Sequence, residues 1–249
     1  MVIHRLPLII KSYDPTYSQN SLKQKITFSL ATPRSHCPHC KRILALSELI
    51  PIISWIKLRG RCSSCRSRIS GRYPLIEILA VGLSIVVITH FGIQLKTAAI
   101  LVASWSLLTL AFIDWEKGLL PDHITLPLLW LGLIVNLDSG ITTLHSAVMG
   151  AVTGYGLLWI IYWLFRILTK KEGLGYGDLK LLSAIGAWIG WQILPITILV
   201  AASSGLIFAI VKLSKKQLSK TEGIPFGPFL ALSGWISIVY HKNLLQLFL

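Results

Sequence analysis

Seven apolar stretches organise most of this chain, at about 74–92, 97–113, 123–137, 144–168, 179–191, 193–212 and 225–240. Short polar connections separate them, and residues 1–73 ahead of them hold no long apolar run. A helix needs ~20 largely apolar residues to cross a bilayer. Most of the stretches approach that length, while 123–137 and 179–191 fall short of it. The pattern predicts an all-α polytopic membrane protein of about seven transmembrane helices preceded by a small module. The expected division is 1–73 for the module and 74–249 for the transmembrane domain.

Composition agrees with that picture. The chain is 53% hydrophobic and 14% charged, with mean hydropathy +0.67, whereas a soluble domain carries about 25% charged residues. The net charge of +14 would suggest nucleic acid in a soluble protein, but here its distribution is that of a membrane topology. If the connection holding Lys96 faces outward, alternation puts Arg5, Arg72, Lys117, Arg166, Lys180, Lys212, Lys220 and the basic residues among them on the other side. Only Lys96 and Lys242 stay outside. That asymmetry obeys the positive-inside rule, so the basic segments and the module face the cytoplasm, against anionic membrane lipids. Nucleic acid is not an expected partner. Residues 1–7 lack the apolar core of a cleavable signal.

The module carries all four cysteines, as Cys37-Pro-His-Cys40 and Cys62-Ser-Ser-Cys65, separated by 21 residues. Two C-x2-C knuckles can complete a tetrahedral thiolate shell around Zn2+. The expected ligands are Cys37, Cys40, Cys62 and Cys65, and the site is structural because four thiolates leave no open position for water. Reduced, unliganded cysteines or a redox pair are the alternatives. His36 and His39 flank the first knuckle as exposed or supporting groups. The arginines at 59, 61, 66, 68 and 72 read as a solvated, lipid-facing surface.

Two carboxylates stand where few are expected. Asp114 closes the apolar run 107–113, and Asp178 opens another, inside Gly173-Leu-Gly-Tyr-Gly-Asp178. A carboxylate at bilayer depth costs ~2.5–3.5 kcal/mol on insertion scales, so each is a functional candidate. The charge-derived topology puts both on the cytoplasmic side. Close together near a membrane, two carboxyls share one proton, so one can act as general base while the other protonates or hydrogen-bonds a scissile carbonyl. The bland alternatives are a helix-end charge at Asp114 and an N-cap at Asp178. The G-x-G-x-G spacing lacks the strand that a nucleotide loop needs; its glycines suit close backbone approach and unusual dihedrals. Asp122, after Pro121, reads as a helix-start residue. Glu77 is either an interfacial charge or part of a polar cavity. Arg166, Trp163 and Trp159 read as interface anchors. Ile224-Pro-Phe-Gly-Pro-Phe229 reads as a rigid lead-in to the last span.

Taken in order, these segments resemble the prepilin peptidases, the type IV prepilin leader peptidases. The resemblance rests on Val2-Ile-His-Arg-Leu-Pro7, Cys37-Pro-His-Cys40, Ile50-Pro-Ile-Ile-Ser-Trp55, Gly60-Arg-Cys-Ser-Ser-Cys65 and Ile69-Ser-Gly-Arg-Tyr-Pro-Leu-Ile-Glu77. It continues through Ile113-Asp114, Leu120-Pro-Asp122, Gly175-Tyr-Gly-Asp178 and Ile224-Pro-Phe-Gly-Pro228. It implies a GxGD aspartic endopeptidase of the bacterial inner membrane. Such an enzyme removes the short basic leader of prepilins and pseudopilins on the cytoplasmic side. Many members then N-methylate the new terminus with S-adenosylmethionine, in support of type IV pili, type II secretion or competence. Carried over, the catalytic pair is Asp114 and Asp178, and the zinc ligands are the four cysteines; no methyl-donor residues carry over. The family places an apolar segment before the Val-Ile-x-Arg-Leu-Pro match, so its first membrane helix, the eighth, is expected to be missing here. A peptidase without methyl transfer and a catalytically silent assembly factor remain the alternatives.

Overall fold

The computed structural model describes residues 37, 39–45, 48, 51–138, 140–170, 173–215 and 224–248. His36 and the start of the family resemblance lie outside them. Among the described residues the chain is helical: α1 (Pro51–Lys57), α2 (Arg72–Phe91), α3 (Leu95–Lys117), α4 (Asp122–Val135), α5 (Leu144–Thr169), α6 (Tyr176–Ile189), α7 (Leu194–Ser214), α8 (Gly227–Val239) and α9 (His241–Phe248). Each of the seven apolar stretches is a helix, α2 to α8. Four of them, α2, α3, α5 and α7, are long and apolar enough to cross a membrane. The other three, α4, α6 and α8, have 14, 14 and 13 residues. At 1.5 Å per residue, 14 residues reach ~21 Å, against a hydrocarbon core of ~30 Å. Turn-forming residues cut these three short: Pro121 caps the start of α4, Gly175 and Gly190 bound α6, and Pro228 sits in the first turn of α8.

The chain divides into two compact units, Met1–Val86 and Val87–Leu249. In the first, α1 packs its Trp55 on the turn that follows it. Gly60 has φ +67°, and a Cβ there would lie 3.0 Å from the Trp55 ring, so both the backbone and the ring require glycine. An antiparallel bridge between Arg61 and Arg68 closes the second cysteine knuckle.

In the second unit α6 is the centre. Eleven of its 14 residues are buried, including Leu181, Leu182, Ile185 and Trp188. By contrast, α5 and α7 leave large apolar side chains such as Ile160, Leu199 and Ile207 exposed, the lipid-facing surface of a membrane helix. The closest approach to α6 is made by α5. A Cβ on Gly150 would collide with the Gly186 carbonyl, and one on Gly186 would collide with that of Gly150. One turn along, a Cβ on Gly154 would lie 2.8 Å from the Leu182 carbonyl oxygen. Small residues four apart thus let two backbones touch, and Ser183 Oγ fastens the contact by donating to the Ala151 carbonyl at 2.8 Å.

A short helix at membrane depth must have its ends satisfied by protein, because no water is there to do so. All four terminal carbonyls of α6 are paired. Gly186 accepts from the Gly190 amide at 2.8 Å. Ala187 and Trp188 accept from Asn136 Nδ2 at 2.9 and 3.2 Å. Ile189 accepts from His241 Nε2 at 3.0 Å. Asn136 is fully buried, and its Oδ1 accepts from the amides of Ile141 and Thr142 at 2.9 and 3.0 Å. On α4, Trp188 Nε1 donates to the Leu128 carbonyl at 2.9 Å. Asn136→Ala therefore strips partners from two carbonyls and two amides. At 1–3 kcal/mol per orphaned buried group, we expect a loss of at least about 3 kcal/mol, read as a lowered midpoint of thermal unfolding in detergent.

Candidate active site and metal centre

Asp114 lies in the last turn of α3. The helix ends four residues later on Gly118, whose left-handed φ of +63° lets its amide bond back to the Asp114 carbonyl at 2.8 Å. The chain then turns through residues 119–121 into α4, whose first residue is Asp122. Asp122 starts the helix, as its sequence position implies, and it also pairs with Lys180 on α6 at 2.6 Å. Beside that ion pair Leu120 packs on Gly177, where a Cβ would come within 2.7 Å of the leucine's own Cβ. The connection after Asp114 is thus held against the first turn of α6.

Asp178 sits in that first turn. It is the third helical residue rather than the cap; Gly175 is the cap, and its amide donates to Asp178 Oδ2 at 3.3 Å. Of the two glycines that flank Tyr176, neither has positive φ. The expected use of unusual dihedrals is therefore not what they do: Gly177 makes room for Leu120, and Gly175 offers an amide. The second oxygen, Asp178 Oδ1, is buried with no hydrogen-bond partner among the described residues.

A third helix completes the arrangement. Gly227, the first residue of α8, donates its amide to Asp114 Oδ2 at 3.0 Å. The carboxyl-terminal end of α3 and the amino-terminal ends of α6 and α8 therefore meet at one end of the unit. Both aspartates are buried there, 6% and 7% exposed, and close enough for Asp114 to act electrostatically on Asp178. Alongside, buried Tyr162 meets the Tyr176 ring at a tilt of 47°, with ring centres 4.8 Å apart. Arg166 donates to the Tyr162 hydroxyl at 2.9 Å and lies over the Trp163 ring at 5.4 Å. Trp159 meets Trp163 edge to face. The three expected anchors form one cluster, tied to the start of α6 through Tyr162. Glu77 lies on α2 in the other unit, partly buried.

Two hollows of the second unit are lined by other residues than the aspartates. One of about 210 Å³ is lined by Val102, Ser106, His123, Ile124 and Pro127 among others. Another, of about 480 Å³, is lined by Ala151, Val152, Tyr155, Gly156, Trp159 and Ser183. Three residues with site or support roles carried no distinctive sequence signal: Gly227 was one glycine in a Pro/Gly-rich stretch, while Asn136 and His241 stood at the ends of apolar runs.

The four cysteines do come together. Their sulfur atoms all lie within 4.8 Å of one another, with Cys37–Cys65 at 3.8 Å and Cys40–Cys62 at 4.0 Å. Four sulfurs ~2.3 Å from a tetrahedral zinc stand ~3.8 Å apart, whereas a disulfide needs ~2.0 Å. The two knuckles fold alike. In each, the first cysteine's amide reaches a carbonyl five residues on, and its carbonyl takes the amide four residues on, from Lys41 or Arg66. Those two residues have φ of 56° and 55°. The Cys40 and then the His39 amide bring the Cys37 thiol down to about 6, and Ser67 lowers Cys65. Cys40, despite the Arg42 amide that lowers it, is pushed up to about 11 by desolvation and the thiols around it. Such crowding disfavours four thiolates without a cation, and the donor set fits a metal. Glu48 laces the knuckles: it accepts from the Ser63 hydroxyl, then from the Ala45 amide, and lies 3.7 Å from Arg42. Those contacts hold its carboxyl below the usual range. His39 is exposed.

Two buried aspartates thus stand at converging helix ends in a helical bundle, four of whose helices are long and apolar enough to cross a membrane. The Type IV leader peptidase family matches residues 101–210, and the Bacterial Peptidase A24 N-terminal domain matches residues 1–91. The chain is 43% identical to the prepilin leader peptidase/N-methyltransferase of Stutzerimonas stutzeri, over 98% of this chain and 86% of that protein. It is 44% identical to that of Aeromonas salmonicida, over 100% of this chain and 88% of the relative. For the protein of that name from Pseudomonas aeruginosa the figures are 41%, 100% and 88%. No solved structure matches the chain. The chain belongs to the type IV leader peptidase family.

Packing at Gly177 and pairing at Lys180 differ in their consequences. Gly177→Val forces Leu120 away from α6, and overpacking of this kind costs about 1–3 kcal/mol. Lys180→Ala removes a half-exposed ion pair, worth at most about 1 kcal/mol. Thermal unfolding of the two variants in detergent should show the larger drop for Gly177→Val.

Proposed function

We propose that this chain removes the leader peptides of prepilins and pseudopilins with Asp114 and Asp178 as its catalytic residues, and that it methylates the new amino terminus. The observation that carries the reading is the buried pair of carboxyls from α3 and α6, in a chain that belongs to this peptidase family. The relatives' name supplies both activities. The protein is a multi-pass inner-membrane enzyme. Its membrane domain is built from the seven helices α2 to α8, of which α4, α6 and α8 are shorter than a full span. The positive-inside asymmetry supports a cytoplasmic module at 1–73, a peptidase domain at 74–249 and an active site on the cytoplasmic side. Substrates from type IV pilus, type II secretion or competence systems fit the family.

Two carboxyls in one buried site share a single proton. The ionised one takes a proton from water, whose oxygen adds to the scissile carbonyl carbon. The protonated one hydrogen-bonds and then protonates the carbonyl oxygen. Collapse of the tetrahedral species breaks the C–N bond: the leaving nitrogen takes the proton held by the base, and one hydroxyl returns its proton to the other carboxyl. Asp114 Oδ2 and Asp178 Oδ2 are each occupied by a main-chain amide, which leaves Asp178 Oδ1 as a free atom to face water or substrate. S-adenosylmethionine would supply the methyl group.

Cys37, Cys40, Cys62 and Cys65 would hold Zn2+ as a structural ion, which joins the two knuckles of a segment that otherwise has little core.

Removal of a general acid or base lowers the rate about 10²–10⁴-fold. In membranes supplied with a prepilin, Asp114→Ala and Asp178→Ala should each reduce leader cleavage by at least that factor while the protein remains inserted. Cleavage that survives either change at near-normal rate removes the pair from the mechanism. For the metal, the purified chain should contain one zinc per molecule by atomic emission. A Cys37→Ser/Cys62→Ser variant should lose it and become sensitive to proteolysis between residues 37 and 72; full metal content in that variant would rule out the tetrathiolate site.

A further inference from the structure

The Pro/Gly stretch at 224–228 leads into α8, and among the described residues its Gly227 amide is the hydrogen-bond donor to Asp114 Oδ2. We propose that Gly227 is the positioning residue of the catalytic pair, which fixes the Asp114 carboxyl by its amide and by its lack of a side chain. The proposal rests on the reading that Asp114 takes part in catalysis.

The steric part is narrow. A Cβ at residue 227 would lie 2.5 Å from Asp114 Oδ2, 2.9 Å from its Cγ and 3.2 Å from its Cβ. All three neighbours belong to the aspartate, so any side chain at 227 is absorbed by displacing the carboxyl rather than a flexible neighbour. The polar part is equally specific. Gly227 is the first residue of α8 and Pro228 the second, so the Gly227 amide has no intrahelical acceptor, while Pro228 has no amide to offer. The free donor at the head of α8 is therefore aimed at Asp114 by the position of the proline behind it. With Oδ2 occupied, Asp114 presents Oδ1 to the reaction. Asp178 is arranged the same way, with Oδ2 on the Gly175 amide and Oδ1 free. One amide from a helix start thus sets the rotamer of each carboxyl, and α8 belongs to the active site although it contributes no acidic residue.

The test is Gly227→Ala, with Gly234→Ala as the control on the same helix, where the three atoms nearest a Cβ belong to the Ile185 side chain, the first at 2.6 Å. Misplacement of a catalytic group by about 1 Å costs on the order of 100-fold in rate. Gly227→Ala should therefore lower kcat for prepilin cleavage about 100-fold with KM unchanged and with a displaced pH–kcat profile. Gly234→Ala should leave that profile in place. Should Gly227→Ala insert poorly, a stability cycle decides the matter. The alanine should lower the unfolding midpoint when Asp114 is present, and should lower it much less in an Asp114→Ala background, where the carboxyl it strikes is gone. Normal kcat in Gly227→Ala, or an equal midpoint drop in both backgrounds, overturns the proposal. If Asp114→Ala itself cleaves normally, the reading of the pair fails instead, and the two failures are thereby told apart.

Discussion

A helix too short to cross the membrane, buried along nearly its whole length, is the constraint on which the second unit depends. The 14 residues of α6 leave unpaired main-chain groups at both ends, and in a hydrocarbon surrounding each must find a protein partner. At the carboxyl-terminal end Asn136 and His241 take three of the last carbonyls, so the end of α4 and the start of α9 are placed by that need. At the amino-terminal end a carboxylate takes the Gly175 amide. The same residue is the proposed catalytic acid or base. Helix capping and chemistry thus use one side chain, and the enclosure that gives Asp178 its buried setting is the enclosure that forces α6 to be capped.

That enclosure needs close neighbours, and glycine provides them. The contact between Gly150 and Gly186 brings α5 onto α6 backbone to backbone, which lets Tyr162, three turns along α5, meet Tyr176 beside the active end. At that end Gly177 admits Leu120, and Gly227 admits Asp114. Each of these glycines has a neighbour's atoms where a Cβ would stand, so the site is built from missing side chains as much as from present ones.

The long features were legible in the sequence. Seven apolar runs became seven helices, because burial in lipid demands the same continuous apolarity whatever the tertiary partners are. The two C-x2-C knuckles were legible because the local turn sets their geometry; Lys41 and Arg66 adopt the same left-handed φ in each. The pairing of Asp114 with Asp178 was legible only as a shared side of the membrane. Their meeting depends on the packing of α8 against both α3 and α6, which no local pattern encodes. Gly227 was illegible for a related reason: a Pro/Gly-rich stretch says that the chain bends, and only the fold says what stands opposite the bend. Asp178 as a cap was half right, since it caps from the third helical position and through its side chain.

The site also has to keep cations out. An ammonium or guanidinium in contact with both carboxyls would favour two charges and remove the difference between acid and base on which the proposed chemistry rests. Lys180 is the evident danger, two residues from Asp178. Two devices neutralise it. Residues two apart on a helix point to different faces, and the Lys180 ammonium is taken by Asp122 at 2.6 Å. The carboxyls are instead held by neutral main-chain amides, from Gly175 and Gly227, at the amino-terminal ends of two helices. Such donors orient a carboxyl and favour negative charge without adding a full positive one. Asp122 therefore does more than start α4: it binds the nearby cation and leaves the pair to be tuned by helix ends alone.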